Sequence, residues 1–376
     1  MYITYSSDDF ESSDEYKPKL SMKTRINFLK LITPILAGIL FWTCTTETQR
    51  EITEYQPIKL LNPEKVVEVP NTGYTFSIIV DSLLIFSPLF DTLFFHVYHK
   101  DNLELLFKFG KEGRAHHEFT FPLPFNYVEG SDNHSVFSVY DINLYQIKHI
   151  DFGAIAKGTN ISDAIVAELM PLELVSMHDL NTLSNGNIIG LPVPSGQKTQ
   201  GLFFIYDPET RKKKWVPIPN RFAMEEGVEQ VVYRGNLYSN SEYIFFASSY
   251  FDQVFFYNSQ GELLKEWYFS EIKMPLLADH FDYIDKHKSP DFFRYIFGNS
   301  KSCFIVRVGA PLTEWEKADM PVKLFEFDWN GDLKNVYEIH SNLNGLYVDE
   351  NSNTLYCVLR NIEELEISTI ATFQLK

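Results

Sequence analysis

A repeated aromatic hairpin, an aromatic-rich composition and an unpaired strand at each end of the sequence predict an all-β fold. The specific expectation is a six-bladed β-propeller of four-stranded antiparallel blades. Of 376 residues, 45% are hydrophobic and 15% aromatic, with 32 Phe and 21 Tyr. That content can bury a large core, and aromatics at this density suit pleated strands better than helices.

The repeat first reads FFHVYHKDNLELLFKF over 94–109 and returns over 137–152, 203–218, 255–269 and 325–339. Each copy is an alternating strand, a polar turn and a second strand. Asp207-Pro208, Ser259-Gln260-Gly261 and Asn330-Gly331 supply hairpin turn chemistry. Further strand-like runs precede the copies, at 75–88, 180–193, 236–249 and 302–309. Units of about four short strands recurring roughly every 40 to 70 residues are the mark of propeller blades. The last unit, 344–376, holds three strands, and the unassigned 57–70 supplies a fourth. Pairing N- and C-terminal strands in that last blade closes the ring and removes open sheet edges.

Two segments depart from strand patterning, near 160–177 and 271–297, where spacing is partly helical; they are expected to be insertions between blades. The propeller is expected to occupy 56–376.

The segment ahead of it concerns address. From Met22, Lys23, Arg25 and Lys30 form a basic region, and Leu31 to Trp42 form an apolar run of 12 residues. That is the length of a secretory core and too short to span a bilayer. The run stops at Cys44, with Phe41-Trp42-Thr43 before it. Residues 22–43 resemble a bacterial lipoprotein signal, in a form familiar among Bacteroidetes, which implies lipidation of Cys44. Residues 1–21 are acidic where a signal is basic, so translation is expected to start at Met22. Residues 44–55 are polar and aperiodic, as a tether is. The location implied is the cell envelope, lipid-anchored, at the outer membrane.

The net charge of −17 argues against nucleic acid and anionic membrane surfaces as partners. Three cysteines are too few for a disulfide framework or a thiolate-metal protein. Cys303 and Cys357 fall in apolar strands and read as buried thiols, with a disulfide as the alternative.

The run Gly110-Lys111-Glu112-Gly113-Arg114-Ala115-His116-His117-Glu118-Phe119 ends the first unit. It resembles G-K-x-G-x-G-P-x-E-F, found at the end of the first blade in the TolB-like, NHL-like six-bladed propeller lipoproteins of Bacteroidetes, with Ala115-His116 replacing the central Gly-Pro. The resemblance implies fold and location and carries no reaction.

Arg114, His116, His117 and Glu118 are candidate ligand contacts, although two glycines at a strand exit favour a structural corner. Adjacent histidines on extended chain face opposite ways, and no further convergent ligands are apparent, so no metal or cofactor is expected. His178 beside Asp179 is a candidate for ligand contact or general-base work. Arg234, between an aromatic run and Gly235, is a candidate carboxylate or sugar contact. No nucleophile elbow, P-loop, dinucleotide fingerprint, H-E-x-x-H or calcium loop occurs. The function expected is binding or protein interaction, with an envelope protein, a small molecule or a glycan as partner. The alternative is a propeller enzyme, a carbohydrate hydrolase or lyase or a lactonase-like metal hydrolase, with its site in the central funnel.

Overall fold

Local turn chemistry sets most strand pairings. A computed structural model describes residues 50–51, 57–70, 74–125, 136–175, 177–193, 200–219, 228–278, 284–315, 320–341, 343–360 and 367–376. Cys44 and the leader lie outside these residues. Asp207 accepts hydrogen bonds from the backbone N–H of Glu209 (2.9 Å) and Thr210 (3.2 Å), closing one hairpin. Asn258 does the same for Gln260 (3.0 Å) and Glu262 (2.9 Å), and Asp328 for Asn330 (3.1 Å) and Asp332 (2.8 Å). In the last two turns Gly261 and Gly331 take φ of +77° and +80°, which a β-carbon would strain.

The strands assemble into six antiparallel blades, listed from innermost to outermost strand. Blade 1 is Tyr74–Val80, Leu83–Pro88, Leu93–His99 and Leu105–Lys111. Blade 2 is Pro122–Phe125, Val136–Asp141, Gln146–Asp151 and Ile165–Leu169. Blade 3 is Met177–Thr182, Ile188–Pro192, Phe203–Asp207 and Lys212–Val216. Blade 4 is Gly235–Ser239, Tyr243–Ser248, Gln253–Asn258 and Leu263–Tyr268. Blade 5 is Asp291–Gly298, Ser302–Ala310, Pro321–Asp328 and Leu333–His340. Blade 6 is Leu343–Asp349, Thr354–Arg360, Ile367–Gln374 and, from the other end of the chain, Lys65–Pro70.

Neighbouring innermost strands touch all the way round, and that of blade 6 returns to that of blade 1. The ring is closed as the unpaired terminal strands predict. Closure uses Lys65–Pro70 alone, which runs antiparallel to Ile367–Thr372 with Val67 opposite Ile370. The chain just before it does something the sequence did not suggest. Ile58–Leu60 adds in parallel to the outer edge of blade 5, and Arg50–Glu51 adds in parallel to that of blade 4. The N-terminal segment therefore lies along the outer edges of three consecutive blades.

Two expectations about insertions are corrected. Within 160–177, Ile165–Leu169 is the outermost strand of blade 2, paired with Gln146–Ile150. Within 271–297, everything from Asp291 onward is the innermost strand of blade 5. The hairpin at 137–152 is also one strand out of phase with the other copies, occupying the second and third strands of its blade.

The core consists of six apolar layers, one between each pair of adjacent blades. Between blades 4 and 5, Phe256 meets Phe327 tilted at 5.3 Å and Phe269 meets Phe325 edge-on at 4.7 Å, the non-parallel geometry aromatic rings prefer. The same interface carries a bidentate pair, Arg307 Nε to Asp252 Oδ1 at 2.7 Å and Nη2 to Oδ2 at 2.6 Å. Cys303 and Cys357 are buried free thiols, and burial pushes both thiol pKa values up. Among the described residues no helix is long and apolar enough to cross a membrane.

The edge pairings and the closing strand make separable contributions. A variant starting at residue 61 is expected to melt within about 5 °C of the full chain, and one starting at residue 71 at least about 10 °C lower. Equal melting temperatures in thermal unfolding would show that the ring does not depend on Lys65–Pro70.

Candidate functional site

The innermost strand of each blade has one edge hydrogen-bonded within its blade and the other facing the ring axis. Its residues therefore line a central channel. All six strands begin on the same face of the ring, and the cavity of about 480 Å³ at the axis takes residues from every one of them.

Irregular backbone shapes this cavity. The strand pairing slips between His178 and Asn181 in blade 3, where Asp179 takes φ of 51°. In blade 5 it slips twice, between Asp291 and Phe293 and between Arg294 and Ile296, with Tyr295 at φ 50°. Left-handed backbone at a non-glycine residue costs on the order of 1–3 kcal/mol and is characteristic of functional sites, as are bulges that re-aim side chains. Asn236 crosses from blade 4 to bind the carbonyl of Phe293 at 3.0 Å, tying the two irregular strands together.

The polar groups gather where the strands begin. Arg294 Nε donates to Asp291 Oδ2 at 2.6 Å, and its guanidinium lies 4.1 Å over the ring of Trp315. The other carboxylate oxygen of Asp291 is buried without a hydrogen-bond partner among the described residues. Burial is the largest influence on Asp291 and pushes its pKa up, against the opposing charges of Arg294, Lys286 and Arg234. Burial works against the charge of Arg294 as well, but Asp291 beside it keeps its pKa above the ordinary value. Tyr250 joins the group, its phenol pushed up by burial and by the charge of Asp291. Across the opening, His178 Nδ1 stands 3.3 Å from Asp179 Oδ1.

Deeper in, the lining becomes aromatic. Phe297 packs on Tyr347 at 4.3 Å and on Tyr238 at 5.6 Å, so three adjacent blades together build an apolar floor. Burial pushes the Tyr347 phenol up to about 12 and Tyr238 higher still.

Of the residues singled out from sequence, Arg234 and His178 line this cavity. Arg114, His116, His117 and Glu118 do not. Their run folds as the corner joining blade 1 to blade 2. The Glu118 carboxylate accepts from the Ala115 N–H (2.9 Å), and a ring nitrogen of His116 bonds the carbonyl of Ser162 (3.0 Å). A β-carbon at Gly113 would fall 1.9 Å from Glu118 Oε2, which explains that glycine by close approach. The buried Lys148 clamps the corner by donating to the Glu118 carbonyl and lying 4.6 Å over the Phe119 ring. Sequence reasoning missed Tyr250, Lys286, Asp291 and Arg294. The available signal was the charge pair in DFFRYIF, hidden by reading that stretch as helical.

No protein-family model matches the chain, and no curated protein matches it. Solved structures match in fold. A Bacteroides fragilis protein whose name calls it a candidate exported protein aligns at 12% identity over 88% of this chain and 99% of its own, with a TM-score of 0.51. A member of the DUF4221 family from Bacteroides vulgatus aligns at 13% identity over 84% of this chain and 98% of its own, with a TM-score of 0.49. At such identities the likeness is one of fold.

The Arg294–Asp291 pair gives a pH-dependent expectation. Arg294→Gln leaves a half-buried carboxylate without its nearest counter-charge, which should raise the Asp291 pKa further and cost about 1–3 kcal/mol at pH 7. Because the folded-state pKa is raised, the folded protein takes up the proton first as pH falls, so the deficit should be smaller near pH 4, roughly the ordinary carboxylate range, than at pH 7. Denaturant unfolding at the two pH values checks this; a deficit independent of pH would assign the loss to packing.

Proposed function

We propose that this chain is an extracytoplasmic binding module that holds a small ligand in the mouth of its central channel and is tethered to the membrane through lipidated Cys44. The observation that carries the reading is the cavity itself: about 480 Å³ at the axis, polar where the strands begin and aromatic beneath. Small-molecule sites combine such an apolar lining with a few convergent polar groups at this scale. Recognition requires no bond chemistry, because a rigid ring already holds the contacting groups in place. The address is supported by the basic and apolar leader ending at Cys44 and by the fold likeness to a candidate exported protein. Membership of the TolB-like, NHL-like lipoproteins rests on the run from Gly110 to Phe119.

One observation favours the enzyme as a second reading: His178, Asp179, Arg234, Asp291 and Arg294 converge on one funnel. A metal hydrolase is the less supported form of it, since among the described residues no three His, Cys, Asp or Glu side chains gather as a metal set would.

Gly345 offers the test. A β-carbon there meets only Ser77 Oγ, at 3.9 Å, in ordinary van der Waals contact, and the position lines the channel, so a larger side chain there should occupy channel space. Gly345→Phe is expected to keep the melting temperature within about 3 °C and to abolish small-molecule retention measured by native mass spectrometry against cell-envelope extract. Retention of the same molecules by both proteins would place binding elsewhere. For the tether, Cys44→Ser should move the protein from the membrane to the soluble fraction on cell fractionation; an unchanged membrane fraction would overturn lipid anchoring.

A further inference from the structure

Resting on that reading, we infer that the ligand is a small organic carboxylate, its acid group held at the rim by Arg234 and Lys286 and its apolar body on the aromatic floor. The argument starts from the local charge. Three cations, Arg234, Lys286 and Arg294, line the cavity against two carboxylates, Asp179 and Asp291. The rim is thus positive in a protein whose net charge is −17.

The second step concerns which charges are already used. Arg294 is committed to Asp291 at 2.6 Å and covered by Trp315. Arg234 and Lys286 are exposed, and among the described residues neither side chain has a hydrogen bond or an ion pair. They come from separate blades' entries, Arg234 directly before the innermost strand of blade 4 and Lys286 ahead of that of blade 5. Both act through space on Asp291, and Arg234 also acts on the Tyr250 phenol. Two free cations and a buried unpaired carboxylate oxygen leave the rim with positive charge to spare and one acceptor to offer a hydroxyl or amide donor.

The third step is the shape. A guanidinium presents a planar fork that matches a carboxylate, and a lysine adds a mobile point charge. Phe297, Tyr347 and Tyr238 beneath them suit an apolar or ring-shaped body. The cavity volume of about 480 Å³ is of the size that holds a small molecule.

The test uses the full chain with two probes of one shape, 1-naphthylacetate and its uncharged analogue 1-naphthylacetamide, titrated at pH 7 and fixed ionic strength by calorimetry. The carboxylate is expected to bind about tenfold more tightly than the amide. Arg234→Gln and Lys286→Gln should each remove most of that preference, while Lys301→Gln, on an exposed lysine outside the funnel, should leave it intact. Since Arg234 and Lys286 are exposed and unpaired and Lys301 loses only an exposed ion pair with Glu350 at 3.5 Å, all three variants should melt with the parent. Equal binding of the two probes, or a preference that survives both rim substitutions, overturns the carboxylate inference and leaves the funnel as a binding site. If neither probe binds and Gly345→Phe behaves as the parent does, the inference and the funnel reading fall together.

Discussion

The whole arrangement depends on one antiparallel pairing between the two ends of the chain, Lys65–Pro70 against Ile367–Thr372. Six twisted sheets around an axis leave a gap unless the last blade is completed, and that blade takes three strands from the C-terminal end and one from the N-terminal end. Once it is complete, the innermost strand of blade 6 packs on that of blade 1, and the sixth apolar layer, with Val69, Phe86 and Ile370, is sealed. Closure sets how far apart the six innermost strands stand, so it also sets the width of the channel. The site is a consequence of the ring and not an addition to it. Parallel pairing of Ile58–Leu60 and Arg50–Glu51 further covers edges that would otherwise offer unpaired backbone to other chains.

How much of this could be read from the sequence follows from where each strand sits. Outer hairpins were legible because their determinants are local: alternating aromatics, then Asp207, Asn258 or Asp328 capping the turn. Innermost strands were harder. In blade 2 the strand is Pro122–Phe125, whose prolines are tolerated because one edge of the strand needs no partner, yet in sequence they read as a break. In blade 5, Phe292, Phe293, Ile296 and Phe297 stand at helix-like spacing in the sequence, which two slips of register accommodate within a strand, so a strand was read as part of an insertion. The outermost strand of blade 2 misled for another reason. Val166 and Leu169 are exposed apolar residues on an outer edge, which blurs the alternation that would mark a half-buried strand.

The same irregularity that concealed the innermost strands shapes the candidate site. Regular alternation would hand successive side chains of an innermost strand to the two neighbouring interblade layers, leaving the channel to backbone. The slips at His178–Asn181 and Asp291–Ile296 break that alternation where polar side chains line the cavity. Arg234 and His178 could be nominated from sequence because each stands beside a marked position, a glycine or an aspartate. Their convergence with Asp291 and Arg294 could not, since these residues come from three different blades. The conspicuous histidine pair at 116–117 was the weaker lead, its run serving as a clamped corner around Lys148 and Phe119.

Charge distribution then limits what can reach the rim. A net charge of −17 disfavours polyanions, whose many charges sum their repulsion over the whole surface. A single small anion is screened from most of that field, because at physiological ionic strength charges beyond about 8 Å contribute little. At the rim it meets the three cations Arg234, Lys286 and Arg294 against the two carboxylates Asp179 and Asp291. An acidic exterior around a cationic opening thus sorts anions by size, excluding polymers while leaving a monovalent organic acid attracted to the channel. Immersion of the acid's apolar part among Phe297, Tyr347 and Tyr238 adds the hydrophobic contribution that a bare inorganic anion lacks, so the rim and floor together select for a molecule carrying both features.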